Sequence, residues 1–332
     1  MRELSTNFVV DFPALASLAT QWWELWKRCP SATPFQSPAW LLSWWEAFAP
    51  GDLLCSVASE NGMLKALFPF YLEESESGPR LLPIGISLSD YLDVLVDPRS
   101  PEAAQAAAEK MCEAHWLSWC FEDMPPGASA ANLTLPGSCR ETLSVRQACP
   151  VIDLRGGPDL EGCVPARRRR QLRRAKTIAA GFGQIRIFRC EKDSQQFLDA
   201  LFALHRARWR ERDQAGVLAD PRVQNLHEAA LPRLAVAGLA RCYILALDGR
   251  PVSAYYGFLD RGRAYAYLGG FDPAFSDASP GAILVGQAIA DAIDEGAREF
   301  HFLRGREAYK YAWGAADRLN HCRVWEKALV NV

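Results

Sequence analysis

The sequence predicts a mixed α/β (α+β) protein made of two similar units, each a mixed, mostly antiparallel sheet flanked by helices. Three observations predict it. Strand-like alternation and helix-like spacing of apolar residues succeed one another along the chain. Two hairpin signals, Asn61-Gly62 and Asp248-Gly249-Arg250, sit between strand-like runs and turn the chain back on itself. The element order also recurs. Asp97-Pro98 and Ser100-Pro101 precede a helix in the first half, as Asp272-Pro273 and Ser279-Pro280 do in the second. Such recurrence reads as a tandem duplication, although Asp-Pro and Ser-Pro are also common turn signals. The Pro- and Gly-containing stretch from Cys149 to Pro165 places the expected boundary, giving domains 1–155 and 156–332.

In the first half, Phe8 to Asp11 reads as a strand, and helices follow at Ala14 to Lys27 and Pro38 to Phe48. Strands are expected at Leu53 to Ser59 and Met63 to Leu72, with a third within Leu81 to Val96. A helix over Pro101 to Ala114 and a strand over Trp116 to Phe121 complete it. In the second half Phe182 to Cys190 alternates like a strand. Asp193 is placed to cap a helix to Arg212 that carries Phe197, Leu201, Leu204 and Trp209 at helical spacing. A second helix covers Pro221 to Ala237. Strands follow at Cys242 to Leu247, Val252 to Leu259 and Arg263 to Gly269. A loop leads to a helix from Pro280 to Glu295, ended by Gly296. A strand (Glu299 to Leu303), a short helix (Glu307 to Trp313) and a last strand (Cys322 to Lys327) close the order.

Composition narrows the function. Of 332 residues, 49% are apolar and 23% charged, which excludes a largely disordered chain and a disulfide mini-protein. Lys and Arg total 37 against 39 Asp and Glu, so a general nucleic-acid coat is not expected, nor is DNA as a partner. No apolar run reaches the roughly 18 to 20 residues that span a bilayer. The opening MRELSTNFVVDF lacks a signal-peptide core, so a cytoplasmic protein with reduced thiols is expected. Cys112, His115 and Cys120 have metal-like spacing, but a helix-to-strand break separates them and no fourth ligand follows; no metal is expected. There is no GxSxG elbow and no P-loop.

Three stretches are more specific: Leu204-His205 with Arg208-Trp209, Gly270 to Leu284 (GFDPAFSDASPGAIL) and Phe302 to Trp313 (FLRGREAYKYAW). With the element order, they resemble the GNAT-superfamily acetyltransferase-like family associated with cellulose and exopolysaccharide biosynthesis. That family is related to the Fem-type aminoacyltransferases, which carry two GNAT-like units. The resemblance implies a tandem pair of GNAT-like acyl-CoA N-acyltransferase domains. It implies transfer of an acyl group, by expectation acetyl from acetyl-CoA, to an amine or hydroxyl of a sugar, polysaccharide or cell-envelope precursor. His301 departs from the family pattern, where an aspartate is expected.

The residues supply the chemistry. Ser279-Pro280-Gly281-Ala282 opens a helix, with Ser279 as expected N-cap, Pro280 at a position that needs no N–H, and Gly281 allowing close approach. Exposed N–H groups there favour an anion. Ser279, Gly281 and Ala282, with Gly269 and Gly270 on the preceding strand, are the expected acyl-CoA residues; a plain helix cap uses the same sequence. The first-half counterpart, Ser100-Pro101-Glu102, places a carboxylate where a phosphate would sit. Only the second unit is therefore expected to bind the donor, and the degenerate first unit to shape the acceptor side.

Arg304 to Trp313 follows a strand end, where open α/β sheets place ligands. Lys310 suits a substrate phosphate or a thioester oxygen gaining charge, Glu307 suits proton acceptance, and Tyr309 and Arg304 stand beside them. A solvated Glu-Lys pair with Tyr309 packed on Trp313 is the alternative. In SDYLDV, Asp90 is a candidate base, with Tyr91 and Asp93 as substrate contacts, or the stretch is a turn with solvated acids. His205 and Trp209, four apart on one helix, either border the acceptor or pack. Arg167 to Lys176 (RRRRQLRRAK) holds seven basic residues in ten on an otherwise acidic chain. It offers a surface to a nucleotide-sugar diphosphate, tRNA or anionic lipid, or is a solvated helix face. Trp22 with Trp26 and Trp40 with Trp44 read as helix core stripes. Two rival functions stand beside the acyltransferase: a Fem-like aminoacyl-tRNA-dependent transferase, and a non-catalytic binding module on the same fold.

Overall fold

The structure is a computed structural model that describes residues 4–134, 139–190 and 193–327. The chain divides into two compact units. One is Met1–Gln147 with Leu319–Val332, and the other is Ala148–Arg318.

The first unit begins with β1 (Ser5–Val9), α1 (Phe12–Ser17), α2 (Ala19–Arg28) and α3 (Pro38–Phe48). Asp11 and Ser37 cap α1 and α3 through their side chains, and proline stands in the first turn of each. Then come β2 (Asp52–Leu53), β3 (Cys55–Glu60), β4 (Met63–Phe68), β5 (Phe70–Glu73), β6 (Arg80–Pro83) and β7 (Leu95–Val96). Helix α4 (Glu102–Cys112) and β8 (Ser118–Met124) follow. Strands β1, β3, β4 and β7 pair antiparallel in that order. The expected strand from Met63 to Leu72 breaks at Pro69, which has no N–H for a ladder, so β4 and β5 enter different sheets. The strand expected within Leu81 to Val96 survives only at its two ends, β6 and β7.

Strand β9 (Cys139–Asp153), with no counterpart in the sequence reading, carries the chain into the second unit. That unit continues with α5 (Leu160–Cys163), α6 (Ala166–Ala180), β10 (Ile185–Arg189), α7 (Ser194–Arg210) and α8 (Pro221–Val236). Strands β11 (Ala240–Leu247), β12 (Arg250–Asp260) and β13 (Arg263–Phe271) lead to α9 (Pro280–Asp294). Then come β14 (Glu299–His301) and α10 (Ala308–Tyr311). Strands β10 to β13 are an antiparallel meander. β14 pairs parallel with β13, and its other side takes Val151–Asp153 of β9. The last strand, β15 (Ala316–Lys327), lies antiparallel to β8.

In the second unit, Leu172, Ala175 and Ala179 form the buried stripe of α6. They join Ile283, Leu284 and Ile289 of α9, and Phe300 and Trp313, in one core. The first unit's core is aromatic: Trp116, Trp119, Phe68, Phe70 and Phe121, with Trp325 of β15 edge-on to Trp119 at 5.2 Å. The tryptophan stripes are core. Trp22, Trp26 and Trp40 donate their indole N–H to Gln36 O, Thr33 O and Ser89 Oγ.

Candidate active site

Strands β13 and β14 pair only from Arg263–Glu299 to Tyr265–His301. Beyond that point β13 continues to Phe271, while β14 gives way to a loop that turns toward β9. The turn is fixed by bonds from Phe302 N–H to Pro150 O (2.8 Å) and from Gly305 N–H to Ala148 O (3.0 Å). The strands part there, and Tyr267 is an extra residue on β13 opposite Tyr256 and Gly257. Such bulges re-aim strands beside active sites.

One wall of the opening is the first turn of α9. Ser279 holds the N-cap position but in a left-handed conformation (φ 47°), and its hydroxyl makes no cap bond, unlike the side-chain cap expected. Its carbonyl takes the Ala282 N–H at 2.9 Å. Ser279 is exposed. A Cβ on Gly281 would meet only the Phe271 ring, at 3.8 Å, so this turn is open to a ligand. The Ser279 side chain leaves the N–H groups of this first turn uncapped, an arrangement that favours an anion. Gly269 is half-buried on β13. Gly270 is buried because a Cβ there would stand 2.4 Å from His205 N, so its smallness serves the seating of α7.

The opposite wall is α7. His205 is buried, tilted against Trp209 at 5.7 Å, and closed over by Gly216, whose Cβ would lie 2.5 Å from the imidazole. Burial, aided by the Arg208 charge, pulls its pKa down to about 4. Trp209 is half-buried, with Arg212 over its ring at 5.7 Å. Arg208, one turn from His205 and next to Trp209 in the same motif, lies over the Phe271 ring at 5.3 Å. Its charge reaches Tyr309 and Glu307.

The loop after β14 completes the site. Leu303 is buried with φ 59°, and Gly305 has φ 106°. Lys310 holds them. Its buried ammonium donates to the carbonyls of Leu303 (3.2 Å), Arg304 (2.5 Å) and Gly305 (3.2 Å), and pairs with Glu307 at 2.9 Å. The expected reach of Lys310 to a substrate is thus turned back into the chain. Tyr309 is 46% exposed, edge-on to Phe302 at 6.1 Å, and its phenol is pushed up to about 12, first by desolvation and then by Glu307. His301 is buried on the Tyr265 ring at 4.9 Å and bonds Glu299 at 3.0 Å, which Arg318 also grips. Burial lowers its pKa.

Asp90, Tyr91 and Asp93 belong to the first unit, in irregular chain rather than a strand. Tyr91 is buried and its carbonyl accepts from Gln36; the Asp90 carbonyl accepts from Asn320. Asp93 accepts the N–H groups of Val94, Ser129 and Ala130 at 2.7 to 2.9 Å, while burial pushes its pKa up to about 6. The arginine run is α6. Arg168 lies over Trp313 at 4.2 Å and Arg169 pairs with Glu161. Arg167, Arg170, Arg173, Arg174 and Lys176 are exposed. The described residues contain no cluster of metal-ligating side chains and no helix long and apolar enough to cross a membrane.

Residues 166–311 match the family model of the Acetyltransferase (GNAT) domain, and this segment holds both walls of the opening. Among solved structures the chain is similar to the crystal structure of FemX (TM-score 0.67, 13% identity, 92% of this chain and 95% of that one). It is also similar to the C-terminal domain of a putative lysylphosphatidylglycerol synthetase from Agrobacterium fabrum (TM-score 0.59, 12% identity, 93% and 91% covered). A conserved protein of unknown function from Bacteroides thetaiotaomicron VPI-5482 is similar as well (TM-score 0.59, 13% identity, 97% and 100% covered). These likenesses concern the fold. No curated protein matches the chain. The protein thus has a GNAT-type acyltransferase fold.

Proposed function

We propose that the protein moves an acyl group, acetyl in the simplest case, from coenzyme A to an amine or hydroxyl of a sugar, polysaccharide or envelope precursor. One observation carries this: β13 and β14 part next to an open first turn of α9, inside the segment that matches the GNAT domain. The N–H groups of that turn would hold the diphosphate of the donor, with the thioester between the parted strands. The acceptor nitrogen or oxygen attacks the thioester carbonyl, the C–S bond breaks, and no enzyme-bound intermediate is needed. Glu307, on the exposed rim, takes the proton of the attacking group. Tyr309, protonated at neutral pH, gives one to the departing thiolate. Lys310 acts by holding the loop. Asp90, Tyr91 and Asp93 take no part in this chemistry.

Calorimetry with acetyl-CoA tests it. Binding below millimolar concentration is expected, and absence of heat at millimolar donor would overturn the proposal. A second reading, a Fem-like transferase drawing on charged tRNA, is favoured by the exposed cations of α6, whose side chains make no ion pair among the described residues. It expects purified protein to retain RNA and to release it steeply with salt.

A further inference from the structure

We infer that Arg208 is an anion-binding side chain of this site, shaped to take a phosphate or carboxylate carried by one of the two substrates. The inference rests on the acyltransferase reading only in assigning the anion to a substrate. Its basis is an unmet charge. The Arg208 Nε is fully buried and has no partner, and the side chain makes no hydrogen bond or ion pair among the described residues. Three other buried or half-buried arginines are satisfied. Arg323 donates to Ala130 O and Leu133 O and pairs with Glu141. Arg28 bonds Asp97 and Leu64 O, and Arg241 bonds Glu295 and two carbonyls. Arg168 also has an unpartnered Nε, but it donates to Gln171 and lies on the Trp313 ring.

The neighbours of Arg208 do not answer it. Glu307 is bound by Lys310 at 2.9 Å, Tyr309 is a neutral phenol at neutral pH, and Arg212 adds a second cation. Arg208 as a whole is half-buried, but its Nε is cut off from water and has no counter-charge, which is costly, and the ring beneath it returns only part of that cost. Arginine's planar fork matches the oxygens of a phosphate or carboxylate, so a ligand anion would complete it. The position supports this. Phe271 carries Arg208 on its face and is also the group nearest to the open Gly281 turn. The anion would therefore sit beside the proposed donor cradle, on the guanidinium that Tyr309 and Glu307 neighbour.

Two sources share this chemistry, the donor diphosphate and an anionic group on the acceptor. Titration of the full chain with pyrophosphate, and separately with glucosamine 6-phosphate against neutral glucosamine, distinguishes them. Wild type is expected to bind one of the two anions at least tenfold more tightly than Arg208→Met does, with Arg208→Lys between them and glucosamine indifferent to the substitution. Loss confined to pyrophosphate assigns the donor, and loss confined to the sugar phosphate assigns the acceptor. Arg208→Met should also melt no lower than wild type, since it removes an unpaired charge. Equal affinity of the wild-type and substituted chains for both anions, no binding of either by wild type, or a markedly lower melting temperature in Arg208→Met would each overturn the inference. Failure of acetyl-CoA binding alone would remove the acyltransferase reading and leave the anion result to stand by itself.

Discussion

Lys310 and Leu303 make sense only together. A leucine in the left-handed region costs about 1 to 2 kcal/mol, and Leu303 holds φ 59° while buried. The Lys310 ammonium, bonded to three successive carbonyls, fixes the chain in that form where β14 ends. Strain kept at a strand end is a mark of a positioned site. Replacing Lys310 by Met leaves those carbonyls without their donor, at about 1 to 3 kcal/mol for each group that stays buried. Thermal denaturation of Lys310→Met should show a fall of roughly 5 to 10 °C, taking 2 to 4 °C per kcal/mol. Transferase activity should fall with it, and Lys310→Arg should not restore it, because a planar fork cannot converge on three carbonyls. An unchanged melting temperature with activity abolished would return Lys310 to direct contact with substrate.

Two glycines separate the duties of elements. Gly270 on β13 faces α7 so closely that an added methyl would lie 2.4 Å from backbone nitrogen. Gly270→Ala must push α7 and its His205 and Arg208 outward, an overpacking change of about 1 to 3 kcal/mol. A Cβ on Gly281 of α9 would make only ordinary contact, with the Phe271 ring at 3.8 Å. Gly281→Ala should leave stability unchanged within about 0.5 kcal/mol, as for ordinary surface changes, yet weaken acetyl-CoA by crowding the phosphate. Urea denaturation and calorimetry on both variants check the pair. The reverse pattern, stability lost at Gly281 and donor binding untouched, would deny α9 its part.

At the level of the whole chain, acid separates the two units. His205, His227 and His301 lie buried in the second unit, with pKa values of about 4 and about 3 for the first two and a lowered value for the third. Burial keeps them neutral. The unfolded chain, with histidines near 6.5, takes protons first as pH falls. Their contribution to stability is complete above about pH 6.5 and drains away below it toward pH 4 and 3. In the first unit Asp93, raised to about 6, works with the opposite sign. Its folded form takes the proton first, so that unit gains as pH falls from 6 toward 4. Hydrogen exchange at pH 5 and pH 7.5, resolved by segment, should show protection lost in residues 148–318 before the first unit. Equal loss in both would contradict the assignment.

The hairpin at Asp248-Gly249, the helix opened by Pro280, the tryptophan stripes and the amphipathic α6 were legible because turns, caps and apolar periods are local properties of the chain. The element order read from them sufficed for a GNAT-like fold. Strand β9 was not legible, since most of its residues are solvent-exposed and carry no alternating signal. Nor was the break-up of the strand expected before Val96, where irregular chain is held by side chains remote in sequence, such as Trp40 on Ser89 and Asn320 on the Asp90 carbonyl. The candidate site divides the same way. Its residue types and their spacing after β14 belong to the sequence. Whether a charge meets a partner does not: Lys310 is enclosed by three carbonyls of the preceding loop, while Arg208 meets no hydrogen-bond or ion-pair partner among the described residues. The sequence by itself determined most of the helices and strands of the second unit and the helix that Pro280 opens. Only the tertiary structure decided which charged groups are satisfied within the fold and which are left without a partner among the described residues, because desolvation and pairing depend on neighbours that the chain brings together from afar.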